Sequence, residues 1–133
     1  MASLFILLPP SEGKAEGGTI NKPWRESSGP CGKSLTAQRK ALVDRLHTLK
    51  GGDATLLGVK GKHLERARQA NSCLRGSPSL PAFQRYTGVV WDHLDIATLT
   101  RAQRDRALSS IIVITGLLGA VGADEPVPDY RLK

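Results

Sequence analysis

A chain of 133 residues, 40% of them apolar, has the length and the hydrophobic content for a single packed domain. Nineteen Lys and Arg against 12 Asp and Glu leave a net charge of +7, a balance that favours polyanionic partners such as nucleic acid or phosphorylated ligands. Cys31 and Cys73 lie far apart, with no CxxC pair and no clustered His, which argues against a zinc site and fits the reduced thiols of a cytosolic protein.

The first element in chain order is Leu4-Phe5-Ile6-Leu7-Leu8, an apolar run ended by Pro9-Pro10. Five apolar residues without a basic lead-in are too few for a signal peptide or a membrane span, so the run reads as a buried strand. Residues 11–34 mix Gly, Ser, Pro and charge without a period and read as a long loop. From Ser34 the pattern turns helical, with Leu35, Leu42, Leu46 and Leu49 as the apolar positions and Gly51-Gly52 as the stop.

Asp53 then caps a short helix over 54–57, and Gly58-Val59-Lys60-Gly61 makes a tight turn into a second helix over about 62–74. Gly76-Ser77-Pro78 and Pro81 break that helix. Residues 83–94 are ambiguous, β-favouring at first with a helix-like tail. Thr100 with Gln103 forms a capping box for a helix reaching about Leu108, and Ile111-Ile112-Val113-Ile114-Thr115 follows as a buried strand. That strand runs into Gly116-Leu117-Leu118-Gly119, a Pro-rich turn and the polar cluster Asp129-Tyr130-Arg131-Leu132-Lys133. Strand, helices, strand, with apolar runs rather than alternation, predicts an α/β or α+β domain around a mixed sheet.

Three segments invite a chemical reading. Gly29-Pro30-Cys31-Gly32-Lys33-Ser34 imitates a phosphate loop, but the pattern requires Gly where Ser27 stands and a preceding strand that is missing. Lys33 and Ser34 instead mark a loop end and helix cap. The stretch from Leu56 to Leu74 resembles the helix-hairpin-helix of non-specific DNA binders: glycines let backbone amides approach a phosphate, and the second helix turns its positive end there. Lys60, Lys62, Arg66, Arg68 and Arg75 stand against a single Glu65, and Lys62, Arg66 and Gln69 share a face opposite Leu64, Ala67 and Leu74. Ser11-Glu12-Gly13-Lys14 follows the first strand directly, at the carboxyl end where open sheets bind ligands. Lys14 there suits an anion, or a base if desolvated. His47, His63 and His93 stand alone, and Trp24 and Trp91 read as packing residues, Trp24 alternatively as a contact residue in its charged loop.

These segments fall into one pattern. Leu7-Leu8-Pro9-Pro10-Ser11-Glu12-Gly13-Lys14 resembles the opening of the peroxide-stress YaaA proteins in their high-GC bacterial version, Arg85-Tyr86-Thr87-Gly88-Val89 resembles their Tyr-Thr-Gly block, and Thr115-Gly116-Leu117-Leu118-Gly119 with Tyr130-Arg131-Leu132 resembles their closing signature. The resemblance covers residues 4–133 and implies an α/β domain of cytoplasmic proteins that limit iron-driven DNA damage and carry a helix-hairpin-helix. By that resemblance Lys60, Lys62, His63 and Arg66 are the DNA-facing residues. Ser11, Lys14, Tyr86, Thr87, Gly88, Tyr130 and Arg131 line a concave basic cleft. Leu118 replaces the family's aromatic, and Gly122-Ala123 replaces an Arg-Pro, which removes a guanidinium donor from the cleft. Family members continue for a further half after Tyr-Arg-Leu, so the chain reads as an apparently truncated front part.

The leading expectation is a cytoplasmic stress protein that binds duplex or branched DNA through phosphates, with no membrane association, no metal and no cofactor of its own. The alternative is an enzyme, lyase- or transferase-like, acting on a small anionic ligand at Ser11, Lys14, Thr87, Tyr130 and Arg131, although no nucleophile–base pair is visible. A third reading is a non-functional fragment that exposes an apolar edge and aggregates or pairs with itself.

Overall fold

The computed structural model describes residues 3–133. Its hub is β3 (Ile111–Thr115), which takes a neighbour on each side. β1 (Ile6–Leu8) runs parallel to it, with Ile6 opposite Ile111 and Leu8 opposite Val113; β4 (Gly119–Gly122) returns antiparallel, with Thr115 opposite Gly119. A separate two-stranded antiparallel sheet joins β2 (Ser79–Pro81) to β5 (Pro126–Pro128). Prolines are tolerated on both because each strand has one partner strand only; beyond it, β2 is bridged at Ser79 alone, to Thr19, so Pro81 meets no second ladder of amide donors. The expected mixed-sheet α/β architecture is therefore present, with the helices in between: α1 (Gly29–Thr48), α2 (Ala54–Leu57), α3 (Gly61–Ser72), α4 (Ala82–Arg85), α5 (Val89–Leu94) and α6 (Arg101–Ser110). Among the described residues no helix is long and apolar enough to cross a membrane.

Two local signals are realised as written in the sequence. Asp53 accepts a hydrogen bond from the Leu56 amide at 2.8 Å and caps α2. Thr100 and Gln103 form the reciprocal capping box of α6.

The start of α1 differs from the expected Ser34. Helix begins at Gly29, so Gly29 to Lys33 form its first turns rather than a loop end. The cause is not local: the Glu125 carboxylate, after β4, accepts a hydrogen bond from the Cys31 amide at 2.7 Å and places a negative charge on the helix's positive end. Pro30 in the first turn costs no hydrogen bond there. The inward stripe of α1 also differs. It runs through Gly32, Arg39, Val43 and Leu46, while Leu42 and Leu49 sit partly exposed at the rim. Arg39 is a buried cation whose guanidinium donates to the carbonyls of Leu118 and Ala120 at 2.8 Å and of Glu26 and Ser28 at 3.3 Å. A buried guanidinium is stable only when its donors are satisfied, and here backbone oxygens satisfy them.

The ambiguous 83–94 segment is helical, as α4 and α5. Trp24 and Trp91 are both buried, so Trp24 packs and makes no surface contact. The core gathers Trp24, Val43, Leu46, Tyr86, Val113, Leu117 and Val121 between α1, α4 and the hub sheet. The expected buried strand over 4–8 is corrected in two ways: the strand proper is Ile6–Leu8, and Ile6 and Leu7 are open to solvent, at 46% and 65% exposure, while Leu8 packs partly buried against the core. β1 is an edge strand covered on one side only by β3, and Ile114 of the same sheet is also half-exposed.

Candidate functional site

The loop after β1 is pinned against the chain around Tyr86. Lys14 and Tyr86 form an isolated antiparallel bridge, the Ala15 amide donates to the Arg85 carbonyl at 2.8 Å, and the Thr87 amide donates to the Gly13 carbonyl at 3.1 Å. Ser11 closes the loop: its Oγ accepts from the Thr87 amide at 3.0 Å and donates to the Gly13 carbonyl at 2.5 Å. A Cβ at position 13 would stand 2.7 Å from Thr87 Oγ1, so any side chain there would force Thr87 to move. Gly88, at φ +114°, follows directly and lies beside Ser11. Arg85 locks the arrangement from below. It is fully buried and its guanidinium donates to the carbonyls of Ala15, Gly17, Pro78 and Val127 at 2.5, 2.9, 3.3 and 3.1 Å.

The carboxy-terminal segment completes the wall. The hydroxyls of Tyr86 and Tyr130 share a hydrogen bond of 2.7 Å in the core. Burial pushes both phenols up, so both are neutral at physiological pH. The next residue, Arg131, is held by its backbone: Asn71 of α3 accepts from its amide at 2.9 Å and donates to its carbonyl at 2.7 Å. Its Nε also donates to the Leu57 carbonyl at 3.3 Å, and its outer nitrogen stands 3.5 Å from Glu12.

Lys14 lies in the middle. Its Nζ donates to the Ser11 carbonyl at 2.9 Å and lies 4.4 Å from the centre of the Tyr130 ring. Among the described residues it forms no ion pair. Desolvation lowers its pKa from 10.5 to about 8, helped by the neighbouring Arg131 cation and opposed by Asp129 and Glu12. The seven cleft residues Ser11, Lys14, Tyr86, Thr87, Gly88, Tyr130 and Arg131 are thus neighbours along one continuous chain of contacts.

The hairpin residues divide. His63 and Arg66 line the same recess as Lys14, Glu12, Tyr130 and Arg131, a small hollow of about 80 Å³. Arg66 pairs with Asp129 at 3.0 Å and Glu16 at 3.2 Å. Lys60 and Lys62 stand exposed at the start of α3, outside the recess. The cleft and hairpin residues, treated separately in sequence, therefore share a wall. Sequence reasoning did not find Asn71, Asp129 or the clamp made by Arg85. A signal existed for Asn71, a polar residue on the apolar side of α3. Among the described residues no three His, Cys, Asp or Glu are grouped as metal ligands.

The arrangement sets two cations, Lys14 and Arg131, in one recess with Glu12 and Asp129, and α3 forms one wall. The family model described as peroxide stress protein YaaA matches residues 4–133. The chain belongs to that family. It is 38% identical over 133 residues to a UPF0246 protein of Corynebacterium glutamicum, covering 98% of this chain and 51% of that protein. A UPF0246 protein of Streptomyces coelicolor is 39% identical over 133 residues, covering 96% and 50%. An uncharacterized protein of Campylobacter jejuni is 25% identical over 132 residues, covering 96% and 52%. The chain spans about half the length of the curated relatives it matches. For a YaaA family member, the Ser11–Lys14 loop, the Tyr86–Gly88 turn and the Tyr130–Arg131 segment are the elements that close on one another.

Proposed function

We propose that this YaaA family member is a cytoplasmic peroxide-stress protein that binds DNA without sequence preference through the α2–α3 hairpin, and so helps limit iron-driven DNA damage. The observation that carries this is the start of α3. It is a 12-residue helix with no side-chain cap and no acidic residue in its first turn, whereas α2 and α6 are capped by Asp53 and Thr100. Uncapped amides with a positive dipole end are an anion site, and a phosphate satisfies them. The turn leading in uses Gly58 and Gly61 in the left-handed region, and nothing lies within 4 Å of the Cβ position at Gly61, so a backbone can approach closely. Lys60 and Lys62 flank the approach as point charges. Duplex binding followed by fluorescence anisotropy should weaken steeply with salt, and replacing Lys60 and Lys62 together by Ala should flatten the logarithmic salt slope by roughly 2 while weakening all sequences alike. Unchanged slope and affinity in that variant would remove the hairpin from the interface.

A second reading is favoured by Lys14, an amine set in a recess beside Arg131 without a carboxylate partner of its own. That is the setting for a small anionic ligand and for a lyase- or transferase-like reaction. Saturable binding of a small carboxylate, lost when Arg131 is replaced by Gln, supports it; absence of binding to the intact chain rejects it.

A further inference from the structure

We propose that Lys14 is a carbonyl-reactive amine that condenses with a small 2-oxo carboxylate whose anionic end is held by Arg131. This deepens the second reading above and rests on it. The geometry has three parts. First, Lys14 is fixed rather than free to wave: its Nζ is tethered to the Ser11 carbonyl, and backbone amides bolt the loop that carries it to residues 85–87 by three hydrogen bonds, at Ser11, Gly13 and Ala15. Secondly, one wall beside the amine is aromatic, formed by the rings of Tyr130 and Tyr86 at 4.4 and 5.6 Å, whose hydroxyls are turned to each other. The amine thus has no phenolate counter-ion. Thirdly, Arg131 shares the recess: Asn71 holds its backbone, its Nε donates to the Leu57 carbonyl, and its outer nitrogens, one of them 3.5 Å from Glu12, are the donors for a carboxylate.

The titratable and charged groups around Lys14 are Glu12 on its own loop, Arg85 from α4, His63 and Arg66 from α3, and Asp129, Arg131 and Lys133 from the carboxy-terminal segment. Desolvation and the adjacent Arg131 bring the amine to a pKa of about 8. At pH 8 such an amine holds about 100-fold more free base than an ordinary lysine.

The step balances without an outside reactant. The Lys14 lone pair adds to the carbonyl carbon, the π pair moves to oxygen, and that oxygen takes a proton. The resulting carbinolamine expels the oxygen as water, carrying away both protons that the neutral amine brought, and a C=N bond replaces C=O. Nothing is oxidised or reduced.

The test uses the intact chain at pH 8 with pyruvate and borohydride, which reduces an imine to a stable secondary amine, followed by peptide mass mapping. Acetone, with the carbonyl but no carboxylate, and lactate, with the carboxylate but no carbonyl, serve as comparisons. The expected result is a single pyruvate adduct on Lys14, roughly 10- to 100-fold over the other lysines, from the free-base excess. Acetone should label Lys14 far less, and Arg131→Gln should erase the preference for pyruvate over acetone. Even labelling across the lysines, or no adduct on Lys14, overturns the proposal, and the wild-type map alone decides this if the variant fails to fold. Lactate separates the two readings: if it binds by calorimetry while pyruvate leaves no adduct, the anion site stands and the imine falls. If lactate does not bind either, both fall.

Discussion

Asn71 is the side chain on which the position of Arg131 depends, and its replacement by Ala tests that dependence. It is almost completely buried and makes three hydrogen bonds, to the Gly51 carbonyl at 2.9 Å, the Arg131 carbonyl at 2.7 Å and the Arg131 amide at 2.9 Å. At about 1 kcal/mol net for each, and with the stranded backbone groups unable to find water, the loss should be about 3 kcal/mol. That is a large share of the roughly 5–15 kcal/mol by which domains are stable. Urea unfolding followed by the fluorescence of buried Trp24 and Trp91 should shift its midpoint down by about 1.5 M, taking a slope of about 2 kcal/mol/M. Asn71→Asp sharpens the test. It keeps an acceptor for the Arg131 amide but faces two carbonyl oxygens with a carboxylate, so it should be no more stable than the Ala variant. A midpoint within about 0.3 M of wild type for Asn71→Ala, or a wild-type curve for Asn71→Asp, would refute the reasoning.

Lys14 and the tyrosine pair give stability a defined pH profile. Lys14 has its folded-state pKa depressed from 10.5 to about 8, so below about 8 the buried ammonium costs stability in full, and the cost is relieved as pH rises from about 8 toward 10.5. Tyr86 and Tyr130 are raised above 10.0, so their contribution is intact below that value and declines above it. Stability should therefore climb between pH 8 and 10 and then turn down. Lys14→Met should lose the climb and keep the downturn, and parallel curves for the two proteins would count against a desolvated Lys14. Thr100→Ala should cost about 1 kcal/mol. Because α6 buries no residue completely, the loss should be visible as faster amide exchange over 101–110 rather than as global unfolding.

What the sequence made legible was local. The caps at Asp53 and Thr100 are three-residue interactions, and β3 announces itself by four consecutive β-branched apolar residues. The start of α1 was not legible because its anchor, Glu125, lies 94 positions away. Its inward stripe was hidden because Arg39 occupies a place where an apolar side chain is the ordinary expectation. β4 has two glycines in four residues and no intrinsic strand preference; pairing with β3 makes it a strand. Of the seven cleft residues, Ser11 and Lys14 were legible from their place at the end of the first strand and the others came from the resemblance; all seven are contiguous in space. The shared wall with His63 and Arg66 was invisible, since helical spacing sorts faces of α3 but does not say what each face meets. The edge position of β1 was missed because an apolar run looks the same whether or not both of its faces are covered.

The Arg85 clamp carries a consequence for the order of folding. Its four acceptors belong to three stretches of chain, and the contacts to Ala15, Gly17 and Val127 span 70, 68 and 42 positions. A fork of this kind closes only after β2 has met β5 and the loop after β1 has come round, so each contact forms at the far end of a long closure. The loop over 9–28, which has little helix or strand of its own, is therefore expected to gain its shape late in folding. Weakening the clamp would then leave the refolding rate almost untouched and show its whole effect as faster unfolding, making a single guanidinium the keeper of the native state's lifetime rather than of its formation.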